Sequence, residues 1–574
     1  MPQDNINSNV DKLIKYKLSH IESGVGVGLF ACVPEKEFNF EEALEYGGQH
    51  PHDQFMRKHL LDMAGKFDPN YLEELIQKSG KDNLYLLALL YEACILNKKF
   101  EGLKGMFDSV DIESLKQFSP FIYISWSQKK DYDQNLFWLR LLTRNIILHK
   151  PLPPLNEIEF PIPVDLKSIT EWKDKASPIS DMVSPRKTGK MIPDRPAPKE
   201  TVKKLKKKLE QLGILTGWEA RPTATLSPYA VERPWNLDIE VNEGRNSWSL
   251  TGTLTSYGRG LNIHQARISC LMEAVERYSA FASIDSGQAP GYKKDCKFIK
   301  GRYEDLLKKE IAALNPNAMC LEVPYQNQEI SWMPAEKMGV DGSRPVYVPV
   351  QMVFLFSNLD EISLSSGLPS NGLAAGSTIE DARLSGLLEV IERDAEKLMP
   401  YSRDRCFILE AEDPKVHDIL EECKQKGILI QLLDISTEFG IPCYKAFVQG
   451  PGGVILKGAG AGLDGKRAAL SAITEIPYPY PYWFGSMPPP EEAETVQFED
   501  LPEYSSGDPS QDLALLEKTL IKNGYEPIYV DITKEDLDIP VVKALVPGLE
   551  IMLGLDRFSS LGIRQFGHYL QACD

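Results

Sequence analysis

The sequence contains no Cys-x2-Cys pair, although it holds nine cysteines, at 32, 94, 270, 296, 320, 406, 423, 443 and 573. An odd number of scattered single cysteines argues against a disulfide framework or a zinc finger, and fits reduced thiols in a cytoplasm. Histidine is scarce, with eight residues; the pair in HPH (50–52) is too sparse for a metal site and reads as surface. Positive charge is in deficit. The net charge of −18 excludes broad binding to nucleic acid or to anionic membranes. Long apolar runs are also missing: LYLLALLYEACIL (84–96) is interrupted by Glu92, is too short to span a bilayer, and reads as a buried helix. The start, MPQDNINSNVDKL, is too polar for a signal peptide.

What is present is the composition of a globular protein, 43% hydrophobic and 25% charged over 574 residues, enough for roughly two to four domains. Residues 1–40 carry a short β segment around GVGVGLFACVP. From 41 to 150 the periodicity is helical, as in paired antiparallel helices or degenerate helical repeats. Residues 151–198 are rich in proline and read as a linker, or as a strap lying on the next domain. In KETVKKLKKKLEQL (199–212), Val202, Leu205, Leu209 and Leu212 form an apolar stripe, with most lysines on the solvated face. Beyond 215, strand-like runs such as CYKAFVQ, GGVILKGAG and PIYVDI alternate with helical ones. The chain from 199 to 574 is therefore a mixed α/β (α+β) domain preceded by a mainly α-helical one.

Within that domain a pattern recurs. QARISCLMEAVERYSA (265–280) and DARLSGLLEVIERDAE (381–396) align without a gap and share seven of sixteen residues. A degenerate third copy, GLDGKRAALSAITE (462–475), matches GLNIHQARISCLME (260–273) at Gly, Leu, Ala, Ser and Glu. Each copy has a glycine-bearing turn (YGRGLN, NGLAAGST, GAGAGLD), then an N-capping residue (Asn262; Ser377 or Thr378; Asp464), then a helix with glutamate two to three turns in. Glycine lets backbone amides approach a ligand, and a helix N-terminus favours anions. Glu273, Glu276, Glu389 and Glu392 on facing helices would repel one another unless cations lie between them. Magnesium, which takes carboxylates together with phosphate oxygens, suits that arrangement. Arg277 and Arg393 would meet phosphate or orient the carboxylates. The plainer alternative is a pair of Glu–Arg helix faces that stabilise each other across a pseudo-symmetric interface. GAGLDGK (460–466) begins like a phosphate-binding loop, but Arg467 stands where the magnesium-binding hydroxyl belongs.

At these residues the sequence resembles the YcaO family. One hallmark, Ser-x3-Glu-x2-Glu-Arg, is present as Ser269, Glu273, Glu276 and Arg277; a second Glu-x2-Glu-Arg is Glu389, Glu392 and Arg393. RPAPKETVKKLKKKLEQLGI (195–214) resembles the opening of the family domain, with Thr201 at a nucleotide-contacting position, and DIPVVKALVPGLE (538–550) its closing segment. The resemblance implies an ATP-binding fold with internal pseudo-repeats. It assigns ATP to Thr201, Arg259, Ser269, Glu276, Arg277, Ser377, Asp381, Arg393 and Glu475, and Mg2+ to Glu273, Glu276, Glu389 and Glu392, with Lys466 a further ATP candidate peculiar to this chain. It also implies activation of a peptide backbone amide by phosphoryl transfer, leading to thioamide or azoline chemistry or assisting methylthiolation of a ribosomal protein. Expected partners are a peptide or protein substrate, a modification partner protein and a second copy in a homodimer, with neither nucleic acid nor membrane.

Three departures bear on this. Asp381 stands where relatives usually have glutamate, and Ser385 often where they have glutamine; Thr378-x-x-Asp381 is also a capping box. Relatives continue the third motif as Glu-x2-Gln-x-Arg, whereas this chain reads Glu475-Ile-Pro-Tyr478-Pro-Tyr480, so the arginine is a tyrosine and Pro477 ends the helix. Lys466 and Arg467 are the candidate replacements. The chain ends YLQACD, without the proline-rich terminus of azoline-forming relatives. A non-catalytic scaffold with an impaired third motif is therefore the alternative, and an unrelated magnesium-dependent ligase a third reading.

Overall fold

The computed structural model describes residues 13–21, 29–80, 83–186, 199–367, 370–479, 482–483, 485–488, 493–551 and 554–573. Among the described residues, three sheets organise the chain, and each carries one of the three motif helices. The first sheet runs in the order Leu29–Pro34, Ile14–Ile21, Asn246–Gly260, Tyr229–Glu243, Ile284–Asp285. The second runs Ile299–Gly301, Ile330–Gly339, Ile528–Asp531, Val541–Leu545, Leu373–Ala375, with Gly342–Pro349 added beside Ile330–Gly339. The third runs Ile455–Ala461, Cys443–Gln449, Gln431–Asp434, Cys406–Glu410, Glu494–Gln497.

The first motif helix, Ile263–Ala280, packs on Asn246–Gly260 and Tyr229–Glu243. The second, Ile379–Leu398, packs on Val541–Leu545 and Leu373–Ala375. The third, Gly465–Glu475, packs on Ile455–Ala461 and Cys443–Gln449. Each helix also touches the next sheet in a cycle: the first reaches Leu373–Ala375 and Val541–Leu545, the second reaches Ile455–Ala461, and the third reaches Asn246–Gly260. The sequence repeat is thus a pseudo-cyclic arrangement of three sheet-and-helix units.

The glycines serve that packing. A Cβ at Gly258 would overlap the Ala266 carbonyl oxygen and the Cys270 nitrogen, and one at Gly460 would overlap the Ala468 carbonyl. In the second unit the glycines lie on both partners: a Cβ on helical Gly386 would come 2.8 Å from the Gly372 carbonyl. Glycine here brings strand and helix backbones together, rather than opening space for a ligand as the sequence suggests. Helix starts follow the expected caps: Asn262 accepts from His264 and Gln265 N–H, Thr378 from Asp381 N–H, and Asp464 from Lys466 N–H.

The N-terminal segment joins this scaffold. Ile14–Ile21 lies parallel to Asn246–Gly260, pairing Ile14 with Trp248, so Ile14–Ile21 and Leu29–Pro34 extend the first sheet. The helices Phe40–Gln49, Gln54–Ala64, Pro69–Lys78 and Leu84–Leu96 follow and share one hydrophobic core with that sheet. Leu84–Leu96 is buried almost throughout, and Glu92 is held there by Arg57 at 2.7 Å. The HPH pair is a clasp rather than free surface: His50 meets the Arg245 carbonyl, and His52 lies 3.2 Å from Asp360, which also binds Arg245. The proline-rich stretch includes a helix, Leu166–Lys175, and lies on the C-terminal domain through Ile179 N–H to the Phe439 carbonyl and Arg186 N–H to the Glu503 carbonyl. No helix among the described residues is long and apolar enough to cross a membrane. Cys32, Cys94, Cys270, Cys296, Cys320, Cys406, Cys423 and Cys443 are thiols outside any disulfide.

Gly258→Ala forces the first motif helix off its strand and is expected to cost about 1–3 kcal/mol by overpacking. Gly105→Ala, where an added Cβ meets open space, is the control. Denaturant unfolding of both variants checks this, and equal stabilities contradict it.

Candidate functional site

The second motif helix turns Val390, Ile391, Asp394, Ala395 and Leu398 into the interior and leaves Glu389, Glu392 and Arg393 half-buried on another face. The first presents Glu273, Glu276 and Arg277 in the same way. The carboxylates influence one another. Burial pushes Glu276 up to about 8, with Arg277 pulling against it and Glu389 and Glu273 adding to it. Burial likewise pushes Glu392 up to about 8, opposed by Arg393 and reinforced by Glu475 and Glu389. Glu273 and Glu389 are raised for the same primary reason. The structure therefore brings the four glutamates and both arginines into one electrostatic cluster.

Strand-borne groups hold the cluster. Glu273 accepts from Tyr257 N–H at 2.7 Å, and Glu392 from Ala461 N–H at 3.1 Å. Glu475, from the third helix, pairs with Arg259 of the first sheet at 2.8 Å. Arg277 Nε lies 3.6 Å from Glu276 and 3.9 Å from Glu273. Arg393 lies 3.4 Å from Glu392 and 3.0 Å from Glu396. Glu276 and Glu389 accept no hydrogen bond among the described residues. Lys543, fully buried on the second sheet, donates to the Asn371 carbonyl at 2.6 Å; burial holds its amine down to about 8 against the pull of Glu389.

The remaining candidates are placed as follows. Ser269 is exposed four residues before Glu273, and Ser385 and Ser471 are exposed four residues before Glu389 and Glu475. Ser377 donates to the Asp381 carboxylate at the start of the second helix, while Thr378 accepts the Asp381 N–H at 3.1 Å. The side chain of Thr201 and residue Tyr480 lie outside the described residues. Lys466 is a correction: its ammonium is fully buried, 2.9 Å from Glu503 and 3.9 Å from Asp464, so burial and those carboxylates commit it away from the glutamate cluster. Arg467 faces the same Asp464 at 3.8 Å. The third helix stops at Glu475, and Tyr478 is buried with its hydroxyl on the Gly485 carbonyl.

Glu396, Lys457 and Lys543 were not among the sequence candidates. The lysines had a signal, since each interrupts an apolar strand (VVKALV and VILKGAG), but nothing local says which helix the ammonium meets.

The donor set fits magnesium. It is made of hard carboxylate oxygens, two of them without hydrogen bonds, at a place where a divalent charge would relieve their mutual repulsion. Among the described residues no three carboxylate, histidine or cysteine side chains converge closely enough to hold a metal ion as they stand, and Arg277 and Arg393 lie beside Glu276 and Glu392. Glu273, Glu276, Glu389 and Glu392 are the residues that would hold the ion.

The family described as "YcaO cyclodehydratase, ATP-ad Mg2+-binding" matches residues 257–477 and 482–550, half of the chain, and the protein belongs to the YcaO family. ATP and Mg2+ are the cofactors in that description. An uncharacterized protein of Methanothermobacter thermautotrophicus is 26% identical over 401 residues, 63% of this chain and 96% of its own. A protein in the tfuA 3′ region of Rhizobium leguminosarum bv. trifolii is 28% identical over 260 residues, 42% of this chain and 57% of its own. Among solved structures, YcaO from Methanopyrus kandleri bound with AMPPCP and Mg2+ aligns with a TM-score of 0.45 at 23% identity, covering 64% of this chain and 94% of that one. A heterocyclase in complex with substrate and cofactor aligns at 0.48 and 20% identity, covering 66% and 58%.

The raised glutamates make the metal-free protein sensitive to pH. Unfolded, Glu276 and Glu392 ionise near 4.5; folded, near 8. The folded state holds more protons between those values, so stability without metal falls as pH rises through that window. Glu276→Gln should flatten the dependence and be more stable than wild type at pH above 8, by on the order of 1–2 kcal/mol. Denaturant melts in EDTA at the two ends of the window check this. Identical pH profiles for variant and wild type contradict it.

Proposed function

We propose that the protein binds ATP with Mg2+ and activates a backbone amide of a peptide or protein substrate by phosphoryl transfer. The observation that carries the proposal is the pair of Glu-x2-Glu-Arg helices held by neighbouring strands, Glu273 by Tyr257 N–H and Glu392 by Ala461 N–H, with Glu276 and Glu392 pushed up to about 8 by burial. Glu273, Glu276, Glu389 and Glu392 hold the metal; Arg259, Ser269, Arg277, Ser377, Asp381, Arg393 and Glu475, with Thr201, position the nucleotide. Mg2+ held by these carboxylates would supply neutralisation of phosphate charge. Arg277 and Arg393, beside the same carboxylates, would offer their donors to phosphate oxygens. The amide oxygen takes the phosphoryl group as ADP leaves, and a nucleophile adds at the amide carbon before phosphate departs. The outcome is a thioamide or azoline, or support of a methylthiolation.

The N-terminal helices recruit the substrate or a modification partner, and buried thiols such as Cys94, Cys270 and Cys443 support a cytoplasmic setting. The scaffold alternative is favoured by one observation: the third helix ends at Glu475 and supplies no cation beyond it.

Calorimetry with ATP is expected to show binding with Mg2+ and none in EDTA. Glu392→Ala should lose binding while its thermal melt stays at or above that of wild type. Unchanged nucleotide affinity in that variant contradicts the assignment. With one charge-stabilising partner missing, hydrolysis by the isolated chain should be slow, since such a loss commonly costs on the order of a hundred- to a thousand-fold. Binding with no turnover under any substrate or partner identifies the scaffold.

A further inference from the structure

We propose that Lys457 is the cation that meets the transferred phosphoryl group in place of the arginine that the third motif lacks. The inference rests on the nucleotide reading above and adds to it a residue that no family motif marks.

The third helix does not supply the charge. Its last residue is Glu475, Ile476 is already extended, and Tyr478 enters the core. Of the basic candidates nearby, Lys466 is fully buried against Glu503 and Lys445 is buried with its ammonium on the Ile146 carbonyl, while Arg259, paired with Glu475, is already assigned to the nucleotide.

Lys457 differs in where its strand sends it. In Ile455–Ala461, Gly458 and Gly460 take the third helix against their α-carbons. Alternation then points Lys457, Ala459 and Ala461 to the opposite face, where the second motif helix lies. Contacts at both ends of the strand agree: Ala461 N–H binds Glu392, and Lys457 Nζ pairs with Glu396, one helical turn on. Glu396 is also bound by Arg393 at 3.0 Å, and Arg393 in turn faces Glu392.

Lys457 and Arg393 therefore share Glu396, and a metal ion that took Glu392 would leave these two cations with that one carboxylate and positive charge available to an anion. Lys457 retains solvent access, with its side chain 32% exposed, while Glu396 is buried at 9%. The carboxylate tethers the ammonium near the space between the helices, and a phosphoryl group entering that space competes for it. In the transfer step the bond from the γ-phosphorus to ADP breaks as the bond to the amide oxygen forms. Lys457 donates N–H to an equatorial phosphoryl oxygen and loses no proton. Its effect is therefore confined to charge that develops on the transferred group.

The test uses the full chain and compares MgADP with MgADP plus aluminium fluoride, which mimics the transferred group. Wild type should bind the second complex more tightly than the first. Lys457→Met should keep its MgADP affinity and its thermal melt but lose about tenfold or more of the tightening. Lys457→Arg should restore most of it, and Glu396→Gln, which releases the tether without removing the cation, should retain it. An unchanged response in Lys457→Met overturns the inference, as does an equal loss of affinity for both complexes, which would mark a structural role. Wild type that binds MgADP without tightening overturns it too. Wild type that binds neither complex sinks the nucleotide reading itself.

Discussion

Buried like charge is the constraint around which the domain is built. Glu389 and Glu273 raise the proton affinity of Glu276, Glu389 and Glu475 that of Glu392, and partial burial thins the water that would screen them. A chain selected for stability alone would place apolar side chains there. This one instead surrounds the carboxylates with donors from three sheets: Tyr257 and Ala461 N–H, Arg259, and Lys543. Each lies on a strand rather than a loop, so the cluster is held by the parts of the fold that move least.

The pseudo-cyclic packing follows from the same need. A helix can bring its glutamates to a shared space only if it sits close on its own strand and also reaches the next sheet. The glycine pairs allow the first condition, since even a methyl at Gly258 or Gly460 would strike the helix backbone. The second is met at two seams by a polar contact, Glu392 with Ala461 N–H and Glu475 with Arg259. Glycine, glutamate and strand cation are therefore parts of one arrangement.

How much of this can be read in the sequence depends on how local each determinant is. The repeat announces itself because glycine, cap and glutamate recur at fixed spacing, and the caps fall at Asn262, Thr378 and Asp464. In the stripe of Lys199–Gln211, Val202, Leu205 and Leu209 are buried against the first motif helix, whereas Leu212, one residue past the helix end, is exposed. Partners distant in sequence leave no such mark. Nothing near Ile14 signals a parallel pairing with Trp248, and nothing in HPH signals Arg245 and Asp360. Lys466 illustrates the opposite error. Its place after a glycine-rich run suggests phosphate, but Glu503, 37 residues on, takes the ammonium first.

The second motif helix shows how the protein fixes a cluster that would otherwise push itself apart. Asp394 receives two bonds from Arg564 of the C-terminal helix, at 2.6 and 2.7 Å, and Arg564 is fixed in turn by Glu438 at 2.7 Å. Glu438 is held in place by His568 as well. Lys397 pairs with Glu550 at 2.6 Å, and Glu550 N–H binds Asp394. These pairs are buried on another face of the helix from Glu389 and Glu392, where an uncompensated charge would cost several kcal/mol. Rotating the helix to separate Glu389 and Glu392 from Glu276 would break them. The repulsion at the site is thus opposed by ion pairs behind it, and the carboxylates relax by holding protons rather than by moving. That condition suits a metal-binding site, because a cation that displaces those protons finds its ligands already in place.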